Sequence, residues 1–308
     1  MATAPEPGEP PGQAREPRAD GTVEGRHFTE EQGMTTVGIV TGAGRGMGEA
    51  CARRLADTVD VLLLVDRDAA GVAAVAKDLN DAAGRAHAES FGVDITDREG
   101  LAGLAGRVAE LGTLRSVAHA AGISPTMADW RRIFEVDLIG TALLAEALRP
   151  LAVQGTAHVY FSSMSPLLAR VDNPDPAIGA ILDEPLREDF LDRIRDAVGP
   201  EIEQSNLAYP WAKHGVARFA RREAVRLGPV GARVCSLAPG IIDTPQGRQE
   251  AAKQTSMQRM IDATPLGRTG RSEEIAEVVA FMLSDGASFL NGVDILVDGG
   301  VYAAVRDR

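Results

Sequence analysis

The sequence predicts an α/β domain built on a doubly wound parallel sheet with helices on both faces. Short apolar runs of strand length alternate with longer stretches of helical periodicity, as expected when each strand is buried between two helical layers. The 308 residues include 33 glycines and many alanines and valines, which suits close packing of helices on a sheet. No internal repeat and no second block of domain size interrupts this pattern, so we expect a single domain.

Six apolar runs are assigned to strands and three longer stretches to helices. The strand segments are residues 37–40, 61–65, 117–119, 157–161, 233–237 and 293–297. The helical segments include residues 47–55, 69–79 and 130–148. Because connections between parallel strands are right-handed, this alternation builds one doubly wound sheet.

Residues 1–33 differ in composition from the rest of the chain. They hold five of the 17 prolines, mixed charges and almost no large apolar residues. Such a segment cannot offset its ordering entropy by burial, so it is predicted to be disordered. Residues 34–308 are therefore taken as the folded domain, and no function is assigned to the tail.

Charge and composition exclude several classes of protein. Lys and Arg number 32 against 44 Asp and Glu, a net charge of −12, which argues against a nucleic-acid binder. No apolar run approaches the ~20 residues of a membrane span, and no secretory signal is recognisable, so we expect a cytoplasmic protein without a membrane partner.

Cys51 and Cys235 lie in apolar segments and are predicted to be buried, reduced thiols. The histidines show no metal-ligand spacing, and no metal site is expected.

A glycine-rich stretch at residues 41–48, Thr-Gly-Ala-Gly-Arg-Gly-Met-Gly, follows the first strand and opens the first helix. Glycines there let the backbone approach a pyrophosphate at the helix N-terminus. Asp66 ends the second strand, where a carboxylate can bind the adenosine ribose hydroxyls and repel a 2′-phosphate. This favours NAD over NADP, although Arg45 and Arg67 could neutralise such a phosphate. A plain tight turn beside a surface acid is the alternative interpretation.

Tyr209 and Lys213 are four residues apart, so on a helix they share one face. A nearby ammonium favours phenolate and lowers the pKa of a tyrosine towards a value suited to acid–base catalysis. Pro210 is expected in the first turn of this helix. Taken alone, such a pair is most often part of a solvated helix face.

Together these residues resemble the single-domain short-chain dehydrogenase/reductase family. The resemblance rests on the glycine turn, on Ser162-Ser163 after the fifth strand and on Tyr209-x-x-x-Lys213, and it covers residues 35 to about 303. The motifs at 239–240, 244–245 and 297–300 also look like that family. The resemblance implies a Rossmann fold with a seven-stranded parallel sheet and reversible hydride transfer between NAD(P) and a carbonyl or alcohol.

The family's functional residues can be placed on this chain position by position. Tyr209 is then the general acid/base, Ser163 binds the substrate oxygen, and Lys213 lowers the pKa of the tyrosine and holds the nicotinamide ribose. Ser162 and Ser165 are alternatives to Ser163. The cofactor site implied in this way comprises Gly42, Arg45, Gly46, Met47, Gly48, Asp66, Arg67, Asp94, Ile95, Ala121, Gly122, Tyr209, Lys213, Pro239, Gly240, Ile242 and Thr244. His119, at a strand end, is expected to be a packed or hydrogen-bonding residue.

Two features depart from the family pattern. Asp137 occupies a position where the family usually has an Asn that helps hold a water near the catalytic lysine, so Asp137 is included in the catalytic set. An ionised Asp accepts the same hydrogen bonds but cannot donate, and its charge acts on Lys213. The second departure is an insertion of about residues 166–207, which precedes Tyr209.

The insertion is expected to contain an acidic helix with one apolar stripe. The stripe consists of Leu186, Phe190, Leu191, Ile194 and Val198. A long insertion here is similar to the 3α-hydroxysteroid dehydrogenase/carbonyl reductase branch, in which it obstructs the interface that builds the common tetramer. A homodimer is therefore favoured over a tetramer. The stripe could also be a substrate lid, a partner-binding face, or a surface packed on its own domain.

Three functions are compatible with these residues. The leading hypothesis is an NAD-dependent oxidoreductase acting on an apolar secondary alcohol or ketone, such as a steroid. The second is a reductase of 3-oxoacyl thioesters carried by acyl carrier protein or coenzyme A. The third, a dinucleotide-binding regulator without turnover, is disfavoured because the Ser-Tyr-Lys set is present.

Overall fold

The computed structural model describes Met1 and residues 34–82, 84–253 and 255–306, with only the backbone described for 250–253, 255 and 256. Apart from Met1, the tail predicted to be disordered lies outside the described residues. From Met34 onward the chain forms one unit. None of the helices in the described part of the chain is both long and apolar enough to cross a membrane.

Seven parallel strands form the central sheet, as the sequence predicts. The strands of the described chain are β1 (Thr36–Thr41), β2 (Val61–Asp66), β3 (His87–Gly92), β4 (Thr113–His119), β5 (Ala157–Phe161), β6 (Arg233–Pro239), β7 (Ile242–Asp243), β8 (Gly270–Arg271) and β9 (Asp294–Val297). The sheet order is β3-β2-β1-β4-β5-β6-β9, while β7 and β8 pair separately. The order reverses between β1 and β4, and ligands of such sheets bind at the carboxyl ends of the strands beside this point.

Strand β3 has no counterpart among the predicted runs. Its sequence, His-Ala-Glu-Ser-Phe-Gly, mixes polar and apolar residues, and it lies at one edge of the sheet. An edge strand that is partly exposed to water needs no continuous apolar run, which explains why a search for such runs missed it.

Helices cover both faces of the sheet. They are α1 (Gly46–Leu55), α2 (Ala69–Asp81), α3 (Arg98–Leu111), α4 (Trp130–Phe134), α5 (Gly140–Leu148), α6 (Ser165–Leu168), α7 (Pro176–Leu182), α8 (Phe190–Val198), α9 (Ser205–Leu227), α10 (Pro245–Lys253), α11 (Thr255–Ala263), α12 (Ser272–Leu283) and α13 (Val301–Arg306). Neighbouring strand residues point to opposite faces: Leu62 and Leu64 pack with α1, α2 and α12, whereas Leu63 and Val65 pack with α3 and α5. Burial on both faces accounts for the uninterrupted apolar runs of the central strands.

The predicted helix over residues 130–148 is present but not uniform. Between α4 and α5 lies a π-helical turn, Glu135–Ile139, which contains the buried Asp137. Such turns insert one extra residue into a helix and occur often at functional sites. Apolar periodicity alone does not reveal this turn.

The expectation for Pro210 is wrong. Helix α9 begins at Ser205, so Pro210 lies inside the helix and not in its first turn. Proline has no N–H, and the helix tolerates the loss of one internal hydrogen bond. The residues before Tyr209, read as the end of the insertion, in fact form the first turn of α9.

The insertion packs against its own domain. Phe190 and Ile194 are fully buried, and Leu186, Leu191 and Val198 are partly buried in the cluster that also contains residues of α4 and α9. The rings of Phe134 and Phe190 meet edge to face with centroids 5.7 Å apart. Arg218 of α9 donates two hydrogen bonds to Asp183, at 2.9 and 2.8 Å. The apolar stripe is therefore core, and neither a lid nor a free docking face.

Candidate active site

One cavity of about 350 Å³ follows the carboxyl ends of the central strands. All the residues assigned above to the cofactor site line it, and so does Ser163. Asp137 does not line it, because its side chain lies behind Lys213. Residues that are far apart in the sequence are thus brought to one place by the ends of six strands and the start of α9.

The glycine turn between β1 and α1 depends on the absence of side chains. Gly42 has φ of +68° and Gly46 has φ of +60°, conformations that favour glycine. A Cβ on Gly42 would lie 2.8 Å from the backbone nitrogen of Ala121, and one on Gly48 would lie 2.1 Å from the carbonyl oxygen of Gly42. The turn and the open N-terminus of α1 form a backbone cradle suited to a pyrophosphate.

The carboxylate of Asp66 is fixed in orientation at the end of β2. Its Oδ2 accepts a hydrogen bond from the Gly44 N–H, and its Oδ1 accepts one from the Asp68 N–H, both at 3.0 Å. The first of these bonds links the acid directly to the glycine turn. Asp66 therefore presents a fixed negative charge to the part of the cavity that Arg45 and Arg67 also line.

Asp94 is tied to a cavity residue that the sequence did not single out. Its Oδ2 accepts a hydrogen bond from Arg132 at 2.7 Å, and its Oδ1 accepts two from Thr96. Burial favours a higher pKa for Asp94, but the bonds from Thr96 and the charge of Arg132 outweigh it and lower the pKa. Arg132 lies on α4, and only the fold brings it to this end of the cavity.

The three candidate serines have different environments. Ser162 donates to Asp294 Oδ1 at 2.7 Å and is buried. The Oγ of Ser163 accepts a hydrogen bond from the Ser165 N–H at 3.1 Å, which leaves its own O–H free to donate. The Oγ of Ser165 is buried and has no hydrogen-bond partner within the described chain. Of the three, Ser163 has the hydroxyl best arranged to donate to a ligand in the cavity.

Tyr209 and Lys213 lie on one face of α9, as their spacing predicts. The Lys213 Nζ lies 5.7 Å from the centroid of the Tyr209 ring. It also donates a hydrogen bond to the carbonyl oxygen of Phe161 at 3.1 Å. Lys213 is 5% exposed, so water screens the interaction of its charge with Tyr209 only weakly.

Asp137 and Lys213 form a buried ion pair. Oδ2 of Asp137 lies 3.7 Å from Nζ of Lys213, and Oδ1 accepts a hydrogen bond from the Ile123 N–H at 2.8 Å. Burial raises the pKa of Asp137 to about 6, although the charge of Lys213 and the bond from Ile123 act in the opposite direction. Asp137 is thus an acid held behind the lysine, out of reach of the cavity itself.

His119 is the buried hydrogen-bonding residue that the sequence predicts. Its Nδ1 lies 2.6 Å from Thr41 Oγ1 and its Nε2 lies 2.9 Å from Thr141 Oγ1. Thr141 donates in turn to the carbonyl oxygen of Asp137 at 2.6 Å, so Nε2 is assigned as the ring nitrogen that carries the proton. Burial, and then the charge of Lys213, lower the pKa of His119 to about 3. The neutral ring links the glycine turn to the π-helical turn.

Most of the side chains that line the rest of the cavity are not identifiable one by one from the sequence. They are largely apolar or uncharged, and they include Ile123, Pro125, Met127, Met164, Leu168, Asn206, Ile241, Gln246, Met257 and Met260. They come from loops and from helices α6, α9, α10 and α11, where no local motif marks a ligand contact. Five of the eight methionines line this cavity, a clustering that only the fold reveals.

Two protein-family models match the chain. The model described as short chain dehydrogenase matches residues 36–165, and the model described as Enoyl-(Acyl carrier protein) reductase matches residues 197–302. The first segment carries the glycine turn and Ser163, and the second carries Tyr209 and Lys213. Residues 166–196, within the predicted insertion, are left unmatched.

Individual proteins match along most of the chain. Cis-4-hydroxycyclohexanecarboxylate dehydrogenase of Sinomonas cyclohexanicum is 36% identical, over 87% of this chain and 97% of that protein. The 3-alpha-hydroxysteroid dehydrogenase/carbonyl reductase of Comamonas testosteroni is 27% identical, over 80% and 98%. A solved short-chain type dehydrogenase/reductase from Mycobacterium ulcerans superposes with a TM-score of 0.68 at 25% identity, over 87% of this chain and 90% of that one.

Proposed function

This chain belongs to the short-chain dehydrogenase/reductase family and is an oxidoreductase of alcohols and ketones, and we propose that it uses NAD to interconvert an uncharged, apolar secondary alcohol and its ketone. Cyclic alcohols and steroids are the substrate class we favour. One observation carries the proposal: Ser163, Tyr209 and Lys213 line the same cavity as the glycine turn. A reacting oxygen held by the first two would lie beside a dinucleotide bound at the turn.

The chain's own residues account for the proton transfer. In alcohol oxidation, Tyr209 accepts the proton of the substrate O–H while Ser163 donates a hydrogen bond to the same oxygen. In ketone reduction, Tyr209 returns that proton to the carbonyl oxygen. Lys213, with Nζ 5.7 Å from the ring centroid, favours the phenolate form of Tyr209. When bound, a nicotinamide dinucleotide supplies the acceptor or donor of hydride.

The choice of NAD over NADP rests on Asp66. Its carboxylate is held by the N–H groups of Gly44 and Asp68, so it cannot turn away from a ligand without losing both bonds. A 2′-phosphate beside it would meet a fixed like charge. Arg45 and Arg67 line the same end of the cavity and are the residues through which NADP would bind if this proposal is wrong.

The apolar character of the substrate follows from the cavity beyond the catalytic residues. Met164 follows Ser163 directly, and Met257 and Met260 lie on α11. Methionine side chains are flexible and polarisable, so they adapt to apolar ligands of varied shape. This lining suits a hydrocarbon ring better than a polyol.

The cations of the cavity favour an uncharged substrate. Among the described lining residues they are Arg45, Arg67, Arg132 and Lys213. The first two adjoin the glycine turn and Asp66, Arg132 is bound to Asp94, and Lys213 faces Asp137. Two of the four thus already face an acid, and the other two adjoin the proposed cofactor turn, so we propose that no cation is placed to bind a substrate carboxylate beside Tyr209. The Sinomonas enzyme acts, by its name, on a carboxylate, and we propose that this chain accepts a related ring without that group.

The thioester alternative retains one supporting observation, the match of residues 197–302 to a model described as Enoyl-(Acyl carrier protein) reductase. Electrostatics speaks against an acidic carrier protein. Residues 166–208, which lead up to Tyr209, contain ten acidic and four basic residues. Like charges would oppose the docking of such a carrier.

The proposal is tested with a matched pair of substrates. Absorbance of reduced nicotinamide is followed with 4-hydroxycyclohexanecarboxylate, its methyl ester, a 3α-hydroxysteroid and a 3-oxoacyl thioester, each with NAD and NADP. We expect kcat/KM for the ester to exceed that for the acid by at least about tenfold, and NAD to be preferred. Preference for the acid or for the thioester would contradict the proposed substrate class.

Asp66→Ala separates the cofactor claim from the substrate claim. Removing the fixed carboxylate should raise the affinity for NADP relative to NAD by about tenfold or more, measured by titration of the two reduced cofactors. A matched change at an exposed acid, Glu146→Gln, should leave the ratio unchanged. An unchanged ratio in Asp66→Ala would contradict the role given to this residue.

We also propose that the protein is cytoplasmic and works as a homodimer. Cys51 and Cys235 are both buried and unpaired, which suits a reducing compartment. The insertion covers part of α4 and α9, leaving less of that face for a second copy.

A further inference from the structure

The proposed mechanism uses the charge of Lys213 but leaves its counter-ion without a role. Asp137 is fully buried, and the Oδ2 that faces Lys213 has no hydrogen-bond partner within the described chain. At 3.7 Å from Nζ it attracts the ammonium without a hydrogen bond. In a buried site such a charge acts more strongly than it would at the surface.

The position of Asp137 is fixed on several sides. The Ile123 N–H holds Oδ1, and the Thr141 hydroxyl donates to the backbone carbonyl of Asp137. Gly122 lies against the pair so closely that a Cβ there would be 3.0 Å from both Oδ1 of Asp137 and Nζ of Lys213. The carboxylate therefore cannot swing away from the lysine without disrupting the loop after β4.

Building on the function proposed above, we infer that Asp137 is a positioning residue that partly cancels the charge of Lys213 at Tyr209. It thereby moves the range in which Tyr209 accepts the substrate proton to higher pH. Nζ of Lys213 lies 3.7 Å from Oδ2 of Asp137 and 5.7 Å from the centroid of the Tyr209 ring. The lysine and the tyrosine line the cavity, whereas Asp137 does not. An anion on the far side of the lysine weakens the positive potential that stabilises phenolate.

The other groups around the pair do not supply a competing charge. From β4, His119 faces the lysine, but burial keeps it neutral above a pH of about 3. From β5 the contact is the carbonyl of Phe161, from the loop after β4 it is the Ile123 N–H, and from α5 it is the Thr141 hydroxyl. Above its own pKa of about 6, Asp137 is thus the anion that opposes Lys213 in the described structure.

The test is Asp137→Asn, which keeps the size of the side chain and its acceptor for the Ile123 N–H but removes the charge. The pH profile of kcat/KM for alcohol oxidation with NAD should have its acid limb shifted about one pH unit lower than in the native protein. Asp137→Ser, smaller but also uncharged, should give the same direction of shift. The control Glu146→Gln removes an exposed carboxylate that pairs with Arg98 and should give no shift.

A second readout does not depend on turnover. The absorbance of tyrosinate is titrated in the native protein, in Asp137→Asn and in Tyr209→Phe, each with NAD present, so that the Tyr209 signal is obtained by difference. In Asp137→Asn, the Tyr209 hydroxyl should ionise at lower pH than in the native protein. An unshifted or upward-shifted curve would overturn the inference, as would loss of activity at every pH without a shift. If no alcohol is turned over but the titration shifts, the proposed function fails and the inference stands.

Discussion

Ser163 lines the cavity together with Ser162 and Ser165, but its hydroxyl differs from theirs in its hydrogen bonds. Its Oγ accepts a hydrogen bond from the Ser165 N–H, so its own proton remains available to donate to a ligand. The Ser162 hydroxyl already donates its proton to Asp294. Sequence position alone could not separate three serines within four residues. Their hydrogen bonds distinguish Ser162 from Ser163, because each hydroxyl has one proton to donate and that of Ser162 is already donated.

Two alanine variants test this division. Ser163→Ala should lower kcat by about 10²–10³-fold, the usual cost of removing a donor to a developing oxyanion, with little change in thermal stability. Ser162→Ala should lower kcat by less than about tenfold but reduce the free energy of unfolding by about 1 kcal/mol, because Asp294 loses its donor. Steady-state kinetics and urea unfolding measure both. The reverse pattern would make Ser162 the working serine.

Three buried histidines predict how stability depends on pH. Burial lowers the pKa of His119 to about 3 and those of His158 and His214 to about 4, whereas an unfolded histidine has its ordinary value of 6.5. Between these values the unfolded chain binds more protons than the folded one, so stability is fully present above 6.5 and falls as the pH drops towards 4.

His158→Leu isolates one of these contributions, since its Nε2 is buried without a hydrogen-bond partner in the described residues. Relative to the native protein, the loss of unfolding free energy between about pH 6 and pH 5 should be smaller by up to about 1.4 kcal/mol. Urea unfolding at the two pH values measures it. An identical pH dependence in the two proteins would show that His158 is not buried in its neutral form.

The insertion illustrates what periodicity can and cannot establish for a helix. The apolar stripe of α8 was recognisable in the sequence, but a lid, a docking face and a packed core helix have the same spacing. The structure decides among them through Phe134, which meets Phe190 edge to face, and through the ion pair between Asp183 and Arg218. Phe134 and Arg218, which make these contacts, both lie outside the insertion.

Phe190→Ala tests whether this packing stabilises the domain. Removing a fully buried aromatic side chain should cost about 3–5 kcal/mol of unfolding free energy. Val225→Ala, at an exposed position of α9, should change it by less than about 0.5 kcal/mol. Urea unfolding of the two variants gives the comparison. A cost for Phe190→Ala below about 1 kcal/mol would mean that the insertion is not part of the core.

The elements were predictable where a strand or helix is buried along its whole length. The runs around Val61 and Ala157 are strands, and Asp66 lies where the spacing placed it. Strand β3 was missed because it is a partly exposed edge strand, and the start of α9 was misplaced because Pro210 was read as a first-turn signal. Arg132 and the lining methionines other than Met47 could not be found, since their approach to the cavity depends on how distant elements pack.

As a whole, the molecule leaves one edge of its sheet apolar. Strand β9 is the edge opposite β3, and Val293 directly precedes it. Val293 is exposed, as are Phe281 near the end of α12 and Phe289 in the connection from α12 to β9. At the other edge, β3 carries His87 and Glu89 instead. Exposed apolar side chains next to a sheet edge favour association with a second copy there.

The double variant Phe281→Ser, Phe289→Ser tests this site of dimerisation. Light scattering coupled to size-exclusion chromatography should give the mass of a dimer for the native protein and of a monomer for the variant. Val225→Ser, at an exposed position on α9, should remain dimeric. A tetramer that dissociates in Val225→Ser would place the interface on α9 and contradict the proposal.

Tyr209→Phe, assayed for both turnover and cofactor binding, is the most direct check on whether Tyr209 moves the proton in a dinucleotide-dependent oxidoreductase. The variant keeps the ring beside Lys213 but loses the hydroxyl. We predict that kcat for oxidation of an apolar secondary alcohol falls by at least about 10²–10⁴-fold, while the dissociation constant for NADH, from its fluorescence, changes less than about threefold. Turnover equal to that of the native protein would contradict the assignment of Tyr209 and the mechanism built on it.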